Sequence, residues 1–287
     1  MQESITSSTK LCAVIGNPVG HSLSPAIHNA AFNDKNLDFV YLAFQVEDLK
    51  NALAGMRALN NFRGMSVTIP HKIEAMKYVD EIAEVDRSIG SINTIINQDG
   101  KLIGLGTDGL GALKALVDAG VVLDDKSVLM LGAGGAARAI AFTLARNTKL
   151  SKLTLLDINE AFVEELTADL QAGTDACIES DALNDGSLAQ AMAHADVIIN
   201  CTPIGMHPRE GVSLVPVELF RSGQVVFDVV YTPLETKLLA DAKSRGLSTV
   251  SGVEMFINQA ALQFEYFTGV DAPVDVMRKV VLEKLKL

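Results

Sequence analysis

Tryptophan is absent from the 287 residues, and aromatic side chains make up only 5% of them. Stacking platforms for bases are therefore scarce, and aliphatic residues and alanine must fill the cores. Basic charge is in deficit: 24 Lys and Arg stand against 35 Asp and Glu, a formal net charge of −11. That field excludes a nucleic-acid backbone as the main partner and leaves room only for a local cationic pocket. No apolar run reaches the roughly 18 residues of a membrane span, so no membrane partner is expected. Cys12, Cys177 and Cys201 are odd in number, far apart and without C-x-x-C spacing. This speaks against a disulfide framework or a zinc knuckle and predicts three buried free thiols in a reducing compartment. No His, Cys and Asp cluster has ligand spacing, so no metal is expected. Met1–Lys10 is rich in Ser and Thr and lacks the basic-then-apolar order of an export signal, which predicts a cytoplasmic protein.

What is present is ordinary globular material, 48% hydrophobic and 21% charged. Its length suggests about two domains. Short apolar runs alternate with helical patterns, the mark of an α/β architecture. In the first half, strands are expected over 11–15, 39–45 and 64–69, and a hairpin over 91–97 and 101–104 around Asp99-Gly100. Helices are expected over 24–33 with Ser24 as N-cap, over 49–59, and from after Pro70 to about 84. In the second half, strands are expected over 127–131, 153–156, 197–200 and 225–229, with helices over 236–245, 255–267 and 274–285. A helix within 107–121 would connect the halves.

The strand 127–131 runs straight into Gly132-Ala133-Gly134-Gly135-Ala136-Ala137. Gly132, Gly134 and Ala137 fit the dinucleotide fingerprint G-x-G-x-x-G/A. The first position makes the tight turn, the second admits a pyrophosphate, and the third lets helix and strand pack closely. A strand before, a helix after and an acid, Asp157, at the end of the next strand complete the expected context. Asp157 would accept from both ribose hydroxyls and repel a 2′-phosphate, and no Arg or Lys follows it in Ile158-Asn159-Glu160. NAD is therefore the expected cofactor, with NADP disfavoured.

Several further motifs occur in order. Gly16-Asn17-Pro18 precedes His21-Ser22-Leu23-Ser24-Pro25 and Ile27-His28-Asn29; Val67-Thr68-Ile69-Pro70-His71-Lys72 follows, then Gly90-Ser91-Ile92-Asn93-Thr94 and Thr107-Asp108-Gly109. After the glycine loop come Asn200-Cys201-Thr202-Pro203-Ile204-Gly205-Met206, the segment Asp228 to Thr236, Gly252 and Gln259-Ala260-Ala261. Along nearly its whole length the chain resembles the shikimate dehydrogenase family, including its quinate/shikimate branch.

The resemblance implies two α/β domains around a cleft, the second a Rossmann-like doubly wound domain. Residues 1–106 plus 252–287 would form the substrate-binding catalytic domain and 107–251 the NAD(P)-binding domain. It implies hydride exchange between a nicotinamide and shikimate or 3-dehydroshikimate, with Lys72 and Asp108 handling the proton. Ser22, Ser24, Thr68, Asn93, Tyr231 and Gln259 would bind the carboxylate and hydroxyls of the substrate. Besides Gly132, Ala133, Gly134, Gly135, Ala136 and Asp157, the cofactor would meet Thr202, Gly205, Met206, Val229 and Gly252. Three departures stand out: Gly106 where the family commonly has Asn, His71 in place of an aromatic, and Asp157-Ile158-Asn159 in place of an NADP-type Asn-Arg-Thr. Two alternatives remain open, an NAD-dependent quinate or dual quinate/shikimate dehydrogenase and a non-catalytic dinucleotide-binding regulator. A monomer and a homodimer are equally compatible with the chain.

Overall fold

The computed structural model describes residues 5–285 and divides the chain into two compact units. Unit 1 comprises 1–107 and 257–287, and unit 2 comprises 108–256. Both are α/β. Among the described residues no helix is long and apolar enough to cross a membrane.

Unit 1 is built on β1 (Lys10–Gly16), β2 (Phe39–Gln45), β3 (Phe62–Val67), β4 (Glu81–Ile82), β5 (Thr94–Gln98) and β6 (Lys101–Leu105), in the order β2-β1-β3-β5-β6-β4. β1 pairs in parallel with β2 and β3, whereas β5 runs antiparallel to β3 and β6. Helices α1 (Ser24–Asp34), α2 (Leu49–Ala58) and α3 (Glu84–Ile89) lie along this part of the chain. Ala13, Ile15, Leu53, Phe62, Met65 and Ile95 are fully or almost fully buried within one of its cores.

The helix expected from Pro70 to about 84 does not form. A 3-10 turn over Glu74–Lys77 and β4 occupy that stretch instead, and α3 begins only at its end. The physical reason is Asp80: its backbone N–H donates to Leu102 O at 2.8 Å and its carboxylate accepts from Leu102 N at 2.7 Å and from Arg57. These bonds draw the chain out alongside β6. At the start of α1 the N-cap is Leu23, with no side-chain cap, so Ser24 is the first helical residue rather than the cap.

Unit 2 holds β7 (Ser127–Leu131), β8 (Lys152–Asp157), β9 (Ile178–Ala182), β10 (Val197–Asn200), β11 (Val225–Asp228) and β12 (Ser248–Ser251). All are parallel, in the order β12-β11-β10-β7-β8-β9. This is the doubly wound arrangement, and the chain reverses its direction of winding between the adjacent strands β7 and β10. The crossovers include α4 (Asp108–Asp118) ahead of β7, then α5 (Gly135–Asn147), α6 (Glu160–Gly173), α7 (Asp185–Met192) and α8 (Lys237–Ser244). α9 (Gly252–Thr268) is divided between the units at 256/257, and α10 (Val274–Leu285) closes the chain. The central strands are buried on both faces, as continuous apolar runs such as Val197–Ile199 require.

Of the three thiols, Cys12 is buried and Cys201 half-buried, but Cys177 is exposed ahead of the edge strand β9, contrary to expectation. Burial pushes the Cys12 and Cys201 thiols up, away from the thiolate form.

Candidate active site

In unit 1 the expected substrate residues lie on loops at the carboxyl ends of β1 and β3 and on segments packed beside them. Gly16 ends β1, and a Cβ there would run into Thr68 Cγ2 and stand 3.1 Å from Ile69 O. Only glycine lets the Thr68 loop come this close. Thr68 is further held by its N–H donating to Ile15 O at 2.9 Å. Ser22 and Ser24 share the turn before α1, where Ser24 N donates to Ser22 Oγ at 3.2 Å. The Ser24 hydroxyl, relieved of capping, lies beside Tyr41. Lys72 follows on the β3 loop, its carbonyl accepting from Ile92 N at 3.0 Å. His71 is buried and donates through Nε2 to Val46 O at 2.8 Å, so the family's aromatic is replaced here by a packed, hydrogen-bonded ring.

A buried chain of hydrogen bonds joins several of these residues to others that sequence reasoning passed over. Tyr41 OH lies 2.6 Å from Ser66 Oγ, which donates to Gln263 Oε1 at 2.6 Å. Gln263 Nε2 donates to Thr94 Oγ1 at 3.0 Å, and Thr94 donates to Asn93 Oδ1 at 3.0 Å. Asn93 Nδ2 in turn donates to Thr107 Oγ1 at 2.9 Å, and Thr107 donates to Gln259 Oε1 at 3.4 Å. Asn93 and Gln259 are thus brought together through Thr107, and Gln259 is a buried residue of α9. Two signals could have found the rest. Gln263 stands four residues after Gln259 on one helix face, and Ser66 stands two before Thr68 on one strand face. His28 stacks on Tyr41 with ring centroids 4.3 Å apart, and complete burial pushes it down to about 3, so it is a neutral packing group.

Unit 2 carries the remaining residues. Asp108 opens α4, and at Gly109 a Cβ would run into Thr143 Oγ1 and Ala139 O, so close packing of α4 on α5 fixes where Asp108 begins. Tyr231 also belongs to this unit, stacked on Phe256 at 4.8 Å, and desolvation pushes its phenol up.

The glycine loop has the geometry a dinucleotide needs. Gly132 takes φ +102°, closed to L side chains, and a Cβ there would lie 3.1 Å from Cys201 C and Thr202 Cγ2. Gly134 is the extended N-cap of α5 and Gly135 its first residue; a Cβ at either would meet nothing within 4 Å. The first glycine is required by the protein itself. The next two leave open space in front of the amides at a helix N-terminus, which suits a pyrophosphate. Ala136 follows on the same turn, and Ala137 is fully buried against the sheet.

β10, the neighbour of β7 at the switch point, leads into Thr202, whose N–H and hydroxyl both donate to Asn200 Oδ1. Gly205 has φ +103° and Met206 is exposed beside it. Beneath them Asp228 is buried. Its carboxylate accepts from Thr236 Oγ1 at 2.6 Å, Asn200 Nδ2 at 2.9 Å and Val230 N at 3.1 Å. At Gly252 a Cβ would run into Val229 O, so the start of α9 rests directly on the Val229 backbone.

Comparison with known proteins decides the family. The shikimate dehydrogenase substrate binding domain matches residues 14–95 and the shikimate 5′-dehydrogenase C-terminal domain matches 252–282. The NADP binding domain of saccharopine dehydrogenase matches 128–209. A relative from Methanocaldococcus jannaschii, named shikimate dehydrogenase (NADP(+)), is 43% identical over 285 residues, covering 98% of this chain and 99% of its own. The chain belongs to the shikimate dehydrogenase family. Its fold agrees throughout. Shikimate 5-dehydrogenase from Listeria monocytogenes, solved with shikimate and NAD, superimposes with a TM-score of 0.93 at 36% identity, covering 98% of this chain and 99% of that one. A shikimate dehydrogenase solved with NADP+ superimposes with a TM-score of 0.88 at 41% identity, covering 99% of each. The enzyme is an NAD(P)-dependent oxidoreductase of this family.

The expected preference for NAD is corrected by these findings: curated relatives are named for NADP(+), and the model matching 128–209 is an NADP binding domain. The argument from Asp157 fails for a local reason. Its Oδ2 accepts from Ala133 N at 2.7 Å and its Oδ1 from Asn159 N at 2.9 Å. Both oxygens are turned into backbone amides, so the carboxylate serves to tie the glycine loop to the start of α6.

Proposed function

We propose that the enzyme interconverts shikimate and 3-dehydroshikimate with NADP, and that Lys72 and Asp108 handle the proton. The observation that carries this reading is the close full-length identity to shikimate dehydrogenases named for NADP(+), together with intact Lys72 and Asp108. When bound, the nicotinamide exchanges a hydride with the substrate carbon. The Lys72 ammonium gives a proton to the carbonyl oxygen during reduction and recovers it during oxidation. Asp108 is the second residue of this reading, a carboxylate at the first turn of α4 that tunes the proton's transfer. Ser22 and Ser24 supply hydroxyl donors to the substrate carboxylate, and Thr68, Asn93 and Gln259 serve the ring hydroxyls. Tyr231 adds a phenolic donor. Gly132 to Ala136, Thr202, Gly205, Met206, Val229 and Gly252 accommodate the dinucleotide, with Asp157 shaping the loop.

The test is steady-state kinetics on shikimate with NADP, on quinate in parallel, for wild type and Lys72→Ala. The wild type should favour shikimate over quinate. Lys72→Ala should lower kcat by about 10²-fold or more, with NADP affinity and thermal midpoint unchanged. A near-wild-type kcat in Lys72→Ala would show that the proton moves elsewhere.

A further inference from the structure

Gly106 departs from the Asn common in the family, and unit 1 shows what stands in its place. A Cβ at Gly106 would run into Asp86 Oδ1 and lie 3.2 Å from Asp86 Cγ. Asp86 is on α3, is only 4% exposed, and lies directly against the Gly106 backbone. Among the described residues no ion pair engages its carboxylate. The glycine and the acid therefore form one arrangement. Position 106 carries no side chain, and a carboxylate from a neighbouring helix occupies the volume that one would fill. Position 106 immediately precedes Thr107, the residue that links Asn93 to Gln259. The acid thus stands beside the polar cluster of unit 1.

We infer that Asp86 reads the substrate: from the space that Gly106 leaves open beside Thr107, it accepts a hydrogen bond from a donor on the substrate ring. The inference rests on the shikimate reading above. A carboxylate is an acceptor only, whereas an Asn amide both donates and accepts, so the exchange changes what the pocket demands. A buried anion without a paired cation is costly unless strong donors reach it. In the first turn of α3 an acid gains from the helix N-terminus, but an exposed one, such as Glu84, gains that without the cost of burial. A ring hydroxyl delivered by the substrate supplies a donor, and charge assistance makes that bond a strong one. Burial, against the Gly106 N–H, pushes Asp86 up to about 6, so at neutral pH it still presents mostly the anionic acceptor.

The experiment uses the full-length enzyme with shikimate and NADP and compares wild type, Asp86→Ala and the double variant Asp86→Ala/Gly106→Asn. Asp86→Ala should raise the KM for shikimate about tenfold or more, with kcat within about threefold and the KM for NADP unchanged. Adding Gly106→Asn, for which removal of the acid makes room, should bring the shikimate KM back to within about threefold of wild type. If Asp86→Ala fails to fold, Asp86→Asn keeps the shape without the charge, and its shikimate KM should likewise rise with kcat preserved. An unchanged shikimate KM, a parallel rise in the NADP KM, or a double variant no better than Asp86→Ala would each overturn the inference. Absence of shikimate oxidation by the wild type would instead overturn the reading on which it rests.

Discussion

Desolvation raises two buried carboxylates in this molecule, and they differ in the donors that oppose it. Asp228 accepts from Thr236, Asn200 and Val230, so its burial is matched by donors on several sides. At Asp86 only the neighbouring Gly106 backbone, among the described residues, opposes desolvation, which pushes it up to about 6. A carboxyl raised in the native state binds its proton more tightly folded than unfolded. The stability it contributes is complete below the unfolded value near 3.8 and is lost as pH rises through about 6. Asp86→Asn removes that dependence. The thermal midpoint of the variant minus that of wild type should therefore increase between pH 4 and pH 7 and then level off. A pH series of unfolding curves checks it, and a difference that is flat or shrinks with pH would show that burial does not strain this carboxylate. At the same scale Asp157 gives the contrary lesson. A charge that looks free in the sequence is already occupied by two backbone amides in the fold.

At the scale of elements, what the pattern revealed depended on burial. β7, β8, β10 and β11 were readable because strands covered on both faces are short unbroken apolar runs between turn signals. β9, Ile178–Ala182, lies at a sheet edge as Ile-Glu-Ser-Asp-Ala, mostly exposed, and β12 is Ser-Thr-Val-Ser; neither carries such a run. The stretch after Pro70 has helical spacing locally, but the pairing of Asp80 with Leu102 comes from a strand more than twenty residues away and prevails. The site was legible where spacing is its own signal, as in the glycine loop. It was hidden where a partner arrives from afar, as when Gln263 reaches Ser66 and Thr94. The two kinds of glycine in the loop differ in a way that can be measured. Gly134→Ala meets open space at an ordinary φ of −73°, so stability should change by less than about 0.5 kcal/mol. NADP should nevertheless bind at least about tenfold more weakly, because the methyl occupies the approach of the pyrophosphate. Gly132→Ala forces an L residue to φ +102°, so it should cost about 1–3 kcal/mol of stability before any ligand is added. Thermal unfolding and calorimetric titration separate the two, and a Gly134→Ala enzyme with wild-type NADP affinity would place the pyrophosphate elsewhere.

At the scale of the whole molecule, each unit has its own sheet and its own core, and the residues assigned to the two ligands divide between them. The proposed dinucleotide residues are in unit 2, together with Asp108 and Tyr231, whereas Ser22, Ser24, Thr68, Lys72, Asn93 and Gln259 are in unit 1. A ligand that binds only the native state stabilises what it touches, by about 2.7 kcal/mol when present at a hundred times its dissociation constant. Local opening reports that gain segment by segment through amide hydrogen exchange. NADP alone should therefore slow exchange chiefly in 132–137 and 200–206, with smaller effects along β7 and β10. Shikimate alone should slow it in 22–24, 66–72, 93–94 and 106–107. The last pair matters most, because protection at Gly106 and Thr107 by shikimate without NADP would place the substrate beside Asp86, on the unit that holds the buried hydrogen-bond chain. Should NADP instead protect the unit 1 segments, or shikimate leave 106–107 unchanged, the assignment of ligands to units would have to be redrawn.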